Sequence, residues 1–286
     1  MILVTGATGR IGAPLIAALH ERDVPFRALT RSAEHAAALR ERGMQPVLGN
    51  LGDADSVDAA MAGVHRLFLL SSPGADAVRQ ERTAIDAAVR AGVGHVVKLS
   101  VIDADLHSPS RLMRSHAESE HHLMASGMAY TMLRPNSLLQ NLLGGAASTV
   151  REAGTIIGAT DDARISHVDA IDVAHVAAVA LTQPGHEGRT YELTGPAAQT
   201  FPEIADALTR MLGRSVLYVD IPDETLRAAV LGSGGPLWLA EGLMELAQYY
   251  RTDRLARVSA DVERVSGRRP TGLEEFLAAH LAAFEA

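Results

Sequence analysis

A glycine-rich segment near the start of the chain limits the possible folds more than any other feature. It directly follows a short apolar run and opens a helical pattern, and it reads Thr5-Gly6-Ala7-Thr8-Gly9-Arg10-Ile11-Gly12. In this setting Gly6 permits a tight turn, Gly9 lets a pyrophosphate approach the backbone, and Gly12 lets the helix pack on the strand. The free N–H groups that begin the helix favour an anion. The segment therefore predicts a dinucleotide-binding strand–turn–helix unit.

The first 135 residues alternate short apolar runs with longer helical patterns. Most runs are continuously apolar, which is typical of a parallel sheet covered on both faces. We predict strands at residues 2–5, 26–30, 46–48, 66–70, 95–100 and 130–134, and helices at 11–22, 33–42, 56–62, 75–91 and 111–126. Repeated strand–helix units with short connections predict an α/β fold with a doubly wound parallel sheet of the Rossmann type.

The regular alternation of predicted strands and helices ends after residue 135, and the remaining chain is mostly helical. Helical patterns cover 169–181 and 202–212, and short strands are predicted at 190–193 and 216–220. We expect residues 1–135 to form the dinucleotide-binding core, with residues 165–195 returning to it. Residues 136–164 and 196–286 are expected to form a smaller, mostly helical lobe that binds substrate.

Composition excludes several classes of site and partner. The 286 residues include no cysteine, so a disulfide scaffold, a zinc–cysteine site and a thiol nucleophile are excluded. The formal net charge of −8 argues against a nucleic-acid partner. No basic region followed by an apolar one opens the chain, and no window of about 18 apolar residues lacks charges or breakers. We therefore expect a cytoplasmic protein without a membrane span.

The end of the second predicted strand distinguishes NAD from NADP. A NAD site places Asp or Glu there, to accept a hydrogen bond from the ribose 2′-OH. This sequence has Thr30-Arg31-Ser32 instead. Arg31 can bind a 2′-phosphate and cover the adenine, and Arg10 can reach the same phosphate. We predict a preference for NADPH; the alternative, that both arginines are solvated surface residues, stays open.

Several further segments, with the glycine motif, resemble the NmrA-like branch of the atypical short-chain dehydrogenases/reductases. They include Ala28-Leu29-Thr30-Arg31, Gly49-Asn50-Leu51-Gly52-Asp53, His95-Val96-Val97-Lys98-Leu99-Ser100, His116-Ala117-Glu118-Ser119-Glu120, Leu133-Arg134-Pro135-Asn136 and Tyr191-Glu192-Leu193-Thr194-Gly195-Pro196. The resemblance covers nearly the whole chain and is specific to the family, not to a substrate. Members of this branch include NAD(P)H quinone reductases, ketone reductases and redox-sensing regulators without turnover.

The resemblance implies further residues around the cofactor. They are Asn50 and Leu51 at the adenine, Ser71 and Ser72 along the cofactor channel, and Pro135 and Asn136 near the nicotinamide carboxamide. The family more often has Asp at the position of Asn50, but an amide oxygen also accepts a hydrogen bond. Alternatively, the two serine hydroxyls bind their own backbone.

The catalytic pair of typical short-chain dehydrogenases is missing. Those enzymes use a Tyr, which protonates the carbonyl oxygen, and a Lys four residues later. Here Lys98 is the only lysine, and none of the five tyrosines precedes it. Aligning on Glu120 places Leu112 at the tyrosine position and His116 at the lysine position, and Ser100 lies close to the spacing of the family's catalytic serine. We predict Ser100 and His116 as catalytic residues.

Two of these residues have a second interpretation. Lys98 is predicted either near the cofactor or as a strand-edge lysine. His116 is predicted either as the replacement proton donor or as a helix-surface histidine paired with Glu120 at i+4. The cluster of His and Glu at 116–122 lacks a separated third ligand, so no metal site is predicted.

The predicted function is an NADPH-dependent reductase of a ketone or quinone. A positioned general acid contributes roughly 10²–10⁴-fold in rate. Its loss therefore favours an activated acceptor that is planar and conjugated, such as a polyketide-type compound. The alternative is a non-catalytic NADP-binding redox sensor, and a sugar-nucleotide epimerase is disfavoured by the missing pair. We expect a small apolar aromatic ligand, and a monomer or homodimer.

Overall fold

The computed structural model describes residues 1–285, and Ala286, the last residue of the predicted substrate lobe, lies outside that part. Seven strands form the larger sheet: β1 (Ile2–Val4), β2 (Phe26–Thr30), β3 (Gln45–Leu48), β4 (Arg66–Leu69), β5 (His95–Leu99), β6 (Ala129–Pro135) and, later in the chain, β8 (Arg189–Leu193). Two further strands, β7 (Thr155–Gly158) and β9 (Leu217–Asp220), form a small parallel sheet. The larger sheet is parallel with the order β3-β2-β1-β4-β5-β6-β8. The predicted doubly wound α/β fold is confirmed.

Helices follow most strands. They are α1 (Gly12–His20), α2 (Ala33–Glu41), α3 (Ala54–Met61), α4 (Ala77–Arg90), α5 (Arg111–Ala125), α6 (Gly145–Ala153), α7 (Ala170–Thr182), α8 (Phe201–Leu212), α9 (Asp223–Gly232), α10 (Leu237–Tyr250), α11 (Asp261–Ser266) and α12 (Leu273–Ala279), with 3₁₀ turns at Leu139–Leu143, Arg254–Ala256 and Leu281–Ala283. Across residues 1–285, no helix is long and apolar enough to cross a membrane.

The first of two compact units comprises Met1–Leu106, Met113–Pro135 and Ala170–Glu192. Its apolar strands are buried because helices cover the sheet. One buried cluster joins side chains of β4 and β5, such as Leu69 and Val96, to side chains of α4 and α5, such as Ile85 and Leu123. Helices α1 and α7 pack on each other, and α7 also contacts β4, β5 and β6.

The second unit comprises His107–Leu112, Asn136–Asp169 and the described residues from Leu193 onward. Its apolar cluster includes Leu139, Leu208, Phe276 and Phe284, all of which are buried. A capping box begins α8, where the Thr200 side chain accepts from the N–H of Glu203 and the Glu203 carboxylate accepts from the N–H of Thr200. This reciprocal pair fixes the start of the helix.

The carboxyl edge of the larger sheet collects the polar residues singled out from the sequence. Arg31 directly follows β2 and Ser100 directly follows β5, while Ser71 lies two residues beyond β4. In open α/β sheets ligands bind outside the carboxyl ends of the strands. The fold therefore brings several predicted site residues to the edge where such ligands bind.

Candidate functional site

The glycine loop between β1 and α1 adopts a conformation that depends on its glycines. Gly6 has φ +61°, a left-handed value that favours glycine, and its carbonyl accepts a hydrogen bond from the N–H of Gly9 at 2.9 Å. A Cβ on Gly12 would lie 2.0 Å from the Gly6 carbonyl oxygen. Only glycine at position 12 therefore allows α1 to begin this close to the turn.

Thr5 anchors the loop to the neighbouring strand. Its buried hydroxyl donates to the Leu70 carbonyl at 2.8 Å and accepts from the Leu70 N–H at 2.8 Å. Leu70 comes directly after β4. These two bonds hold the loop at the carboxyl edge of the sheet.

A cavity of about 290 Å³ opens beside this loop, within the first unit. Its lining residues are Gly6, Thr8, Leu29, Thr30, Arg31, Ser32, His35, Gly49, Asn50, Leu51, Leu70, Ser72 and Gln80. It brings together six predicted cofactor residues: Gly6, Thr8, Arg31, Asn50, Leu51 and Ser72. Four others from the glycine segment, Gly9, Arg10, Ile11 and Gly12, are not among the lining residues.

The start of α2 faces this cavity. Ser32 is the N-cap residue, and its hydroxyl accepts from the N–H of His35 at 3.2 Å. Arg31, Ser32 and His35 all line the cavity. A helix N-terminus beside a guanidinium is suited to an anion such as a phosphate. Sequence reasoning missed His35, although its position one turn into a helix beginning at Ser32 was a usable signal.

Asn50 also lines the cavity. Its Oδ1 accepts from the N–H of Gly52 at 3.0 Å, and its backbone N–H donates to the Ser56 hydroxyl at 2.9 Å. These bonds fix the loop between β3 and α3, with Leu51 buried at its base. The side chain acts first as a support for its own loop, and its amide N–H groups remain available to a ligand.

A buried ion pair lies behind the same sheet edge. Lys98 Nζ is 2.9 Å from Glu81 Oε2, and the two side chains are 0% and 3% exposed. Lys98 Nζ also donates to the Leu99 carbonyl at 2.8 Å, and the Ser71 hydroxyl donates to Glu81 Oε1 at 3.1 Å. Burial raises the pKa of Glu81, but the charges of Lys98 and His116 and the hydrogen bonds from Ser119 and Lys98 together outweigh burial, so this pKa lies below its ordinary value.

This pairing changes the interpretation of two predicted cofactor residues. Lys98 lies on β5, which is flanked by β4 and β6, and is therefore not a strand-edge lysine. Its ammonium and the Ser71 hydroxyl are both bonded to Glu81. Sequence reasoning did not single out Glu81.

Both predicted catalytic residues carry a buried polar atom that no hydrogen bond satisfies. Ser100 is 1% exposed, and its Oγ has no partner; the Nδ1 atom of His116 likewise has none. Burial and, to a smaller extent, the charge of Lys98 lower the pKa of His116 to about 4, against the opposing effect of Glu81 and Glu120. Buried polar atoms without a protein partner are uncommon in folded proteins, and ordered water, a ligand or a catalytic role can each account for one.

Glu120 does not serve as an i+4 hydrogen-bond partner of His116. Its carboxylate is 2% exposed and accepts two bonds from Arg134, from Nε at 3.0 Å and from Nη2 at 2.5 Å. This forked contact raises the pKa of Arg134. The bidentate geometry explains why the acid pairs across to β6 and not along its own helix.

A comparison with protein families matches residues 1–277 to the NmrA-like family. The chain belongs to this family. It is 40% identical over 286 residues to an NAD(P)H azoreductase of Xenophilus azovorans, with all of both chains covered. Among solved structures it is similar to an NADPH-dependent quinone oxidoreductase of Escherichia coli complexed with NADPH, with a TM-score of 0.90, 33% identity, and 98% and 100% of the two chains covered. A Citrobacter sp. triphenylmethane reductase complexed with NADP(H) is also similar, with a TM-score of 0.87 and 26% sequence identity. The match covers 97% of this chain and 99% of that one.

In this NmrA-like protein, two residues implied at the nicotinamide are engaged in other bonds. The Asn136 amide nitrogen donates to the Ser166 hydroxyl at 2.8 Å and to the Leu255 carbonyl at 2.9 Å, and its oxygen accepts from the N–H of Ser137. The carbonyl of Pro135 accepts from the N–H of Ile102. Both N–H groups of the Asn136 amide are therefore used within the second unit, which gives this side chain a structural role.

Proposed function

We propose that this NmrA-like protein is an NADPH-dependent reductase of quinones or comparable conjugated carbonyl compounds. The cofactor assignment depends on one observation above all, the cavity in which Arg31 and the N-terminus of α2 flank the glycine loop. The 40% identical azoreductase and the 33% identical quinone oxidoreductase, both matched over almost their whole length, support the reductase assignment. In this proposal the first unit binds the cofactor, and the second binds the acceptor.

The residues present fit a dinucleotide. A Cβ at Gly6 would press on Leu70 and one at Gly12 on the Gly6 carbonyl, so these glycines keep the tight turn that presents the N–H groups at the start of α1, which favour a pyrophosphate. Arg31 and Ser32 would hold the 2′-phosphate, and Asn50 and Leu51 would border the adenine. Arg31 supplies a planar, permanently charged donor fork that matches phosphate geometry.

Arg31→Ala should reduce the preference for NADPH over NADH by about tenfold to a thousandfold, since each charge-assisted hydrogen bond is worth roughly 1.5–3 kcal/mol. Affinities for the two cofactors, measured by quenching of protein fluorescence, would give the ratio. NADH lacks the 2′-phosphate and serves as the internal control, so its affinity should change little. Equal cofactor affinities in the unmodified protein, unchanged in the variant, would reject the NADP assignment.

NADPH, when bound, supplies a hydride to an electrophilic acceptor. The chain contributes the Ser100 hydroxyl, whose unpartnered Oγ is free to donate to an acceptor oxygen. With its pKa lowered to about 4, the His116 ring is mostly neutral near pH 7. In this proposal it serves as a neutral hydrogen-bonding group and not as an imidazolium donor. A quinone suits such a site because one hydride and one proton from solvent complete its reduction to the hydroquinone.

An azo compound is the second candidate acceptor, favoured by the full-length identity to the Xenophilus azoreductase. One hydride and one proton convert the azo bond to a hydrazo compound, and a second equivalent cleaves it to two amines. Azo dyes and quinones share a planar conjugated system that accepts hydride without a strong acid at the site.

The test of the proposal is NADPH oxidation, followed by the absorbance of the reduced nicotinamide. The panel contains a benzoquinone, a naphthoquinone, a sulfonated azo dye, a polycyclic ketone and a simple aliphatic ketone. We expect turnover with at least one quinone or azo compound, and less with a simple aliphatic ketone. Stoichiometric NADPH binding without oxidation by any acceptor would reject the reductase and favour the redox sensor.

A further inference from the structure

A series of buried polar contacts connects the segment after β4 to the end of β5. The Ser71 hydroxyl donates to Glu81 Oε1 at 3.1 Å, and Lys98 Nζ lies 2.9 Å from Glu81 Oε2. Lys98 Nζ also donates at 2.8 Å to the carbonyl of Leu99, the last residue of β5. These residues are all buried and all belong to the first unit. Together the contacts form one continuous link, the Ser71–Glu81–Lys98 bridge, which passes through α4.

Stability alone gives no reason for an ion pair in this bridge. Taking two charges out of water is costly, and replacing a buried pair by apolar residues is often neutral or stabilising. What the carboxylate of Glu81 supplies is two directed bonds from one side chain, because each of its oxygens accepts one. The amide of a glutamine has only one acceptor oxygen. The carboxylate therefore holds groups from two neighbouring strand ends at once.

The segment that the bridge holds forms part of the cofactor cavity. Leu70 and Ser72, on either side of Ser71, both line this cavity. Thr5 fixes the Leu70 backbone through two hydrogen bonds, and Glu81 fixes the next side chain along the chain. The hydroxyl of Ser71 is thus turned to the protein interior, where it anchors the segment.

We propose that Glu81 and Lys98 are positioning residues for the cofactor, which act through Ser71 to hold residues 70–72 in the conformation that binds the dinucleotide. The inference rests on the proposed cofactor site. A segment that is ordered before binding does not have to be ordered at the expense of affinity. NADPH and NADH should both benefit equally, because the 2′-phosphate that distinguishes them is assigned to Arg31.

The first test is the affinity of the full chain for NADPH and for NADH, measured by isothermal titration calorimetry. Ser71→Ala removes one end of the bridge and leaves the ion pair in place. In Glu81→Gln the amide oxygen faces the Lys98 ammonium, so the NH₂ group faces Ser71 where an acceptor stood. Each variant should bind both cofactors about tenfold more weakly, which corresponds to ordering the backbone of one further residue on binding. The ratio of the two affinities should stay unchanged, in contrast to Arg31→Ala.

Combining the two substitutions shows whether Glu81 acts through Ser71. The double variant Ser71→Ala/Glu81→Gln should bind NADPH about as weakly as either single variant, because each already breaks the same bridge. Losses that multiply in the double variant would mean that the two residues act independently, and would overturn the proposal. Affinities that stay unchanged in both single variants would overturn it as well.

The apolar double variant Lys98→Met/Glu81→Leu separates positioning from general support of the fold. Removal of both charges should recover most of the stability that Lys98→Met loses. A leucine cannot accept a hydrogen bond from Ser71, so the affinity for both cofactors should stay about tenfold below that of the unmodified protein. An affinity that recovers together with the stability would show a merely structural pair and overturn the proposal.

Val96→Ala is the matched control for loss of stability. Val96 is buried on β5, two residues before Lys98, in the apolar cluster that joins the sheet to α4 and α5. Its truncation should lower the free energy of unfolding and leave both cofactor affinities unchanged. A loss of affinity equal to that of Glu81→Gln would mean that any weakening of this layer affects the cavity, which would overturn a specific role of the bridge.

Hydrogen exchange in the protein without cofactor gives a readout that does not depend on binding. Deuterium uptake in the peptide that covers residues 70–72, followed by mass spectrometry, should rise in Ser71→Ala and Glu81→Gln but not in Val96→Ala. Unchanged uptake in the first two variants would overturn the proposal. An unmodified protein that binds neither cofactor would reject the cofactor site itself, whereas normal binding with unaffected variants would reject only the positioning role.

Discussion

Lys98→Met should lower the free energy of unfolding by about 3–5 kcal/mol, because removing one partner of a buried ion pair leaves an uncompensated charge. The Glu81 carboxylate, 3% exposed, would lose the bond from Nζ at 2.9 Å and keep only hydroxyl donors such as Ser71. This loss is a large part of the 5–15 kcal/mol that stabilises a typical domain. Urea denaturation followed by circular dichroism, at pH 7.5 and without cofactor, measures it.

Two controls separate the charge effect from packing. Lys98→Met/Glu81→Leu removes both charges, and should recover most of the lost stability. Arg90→Ala breaks the Arg90–Asp58 pair, which has a comparable separation of 2.7 Å but side chains 54% and 45% exposed. Such a surface pair should contribute only about 0–1 kcal/mol. A loss below about 1 kcal/mol in Lys98→Met, similar to that in Arg90→Ala, would show that burial does not make this pair costly to break.

The sheet and its carboxyl edge could be predicted from the sequence because the apolar runs and the glycine motif indicated the same fold. Continuously apolar runs predicted buried parallel strands, and the turn that requires Gly6 and Gly12 lies where the glycine motif predicted it. Arg31 lies at the cavity for the same reason, since the residue after the second strand has a fixed place in this fold, and its contact with a cofactor stays a prediction. These features depend on short stretches of chain whose meaning changes little with tertiary context.

The Glu81–Lys98 ion pair could not be predicted from the sequence, since it depends on contacts between distant segments. Glu81 lies in an ordinary amphipathic helix pattern, and only the packing of α4 against the sheet places it at Lys98. Asn136 gives the converse example. A motif placed it near the nicotinamide, but its bonds to Ser166 and Leu255 come from segments 30 and 119 residues away. A pattern that locates a residue on an element does not decide which partner its side chain takes.

Acidification should destabilise the protein well before its carboxylates titrate. Burial lowers the pKa of both His116 and His167 to about 4, whereas in the unfolded chain a histidine titrates near 6.5. Above pH 6.5 both states are neutral and these residues contribute nothing. Below it the unfolded chain binds protons that the folded chain excludes, so each fully buried ring costs up to about 1.4 kcal/mol per pH unit. The free energy of unfolding should therefore fall between pH 6.5 and 4.

His167 should make the larger contribution of the two. It is 4% exposed, its Nδ1 has no partner, and its ring packs edge-on against Phe201. His116 as a whole residue is half-buried, although its Nδ1 atom is buried, so solvent reduces its share. Glu81 affects the free energy of unfolding in a different pH range. Its pKa is lowered in the folded protein, so its stabilising effect is present above the unfolded pKa of 4.5 and is lost only below that pH. Between pH 6.5 and 4.5 the buried histidines therefore dominate the slope.

His167→Gln should flatten this slope, because the amide cannot take up a proton and can still donate a hydrogen bond. The measurement is urea denaturation at half-unit steps from pH 7.5 to 4.5, comparing this variant with the unmodified protein. His121→Gln is the matched control, since His121 is exposed on α5 and its replacement should leave the slope unchanged. Equal slopes in all three proteins would mean that the His167 ring accepts a proton without opposing the fold, contrary to what its burial requires.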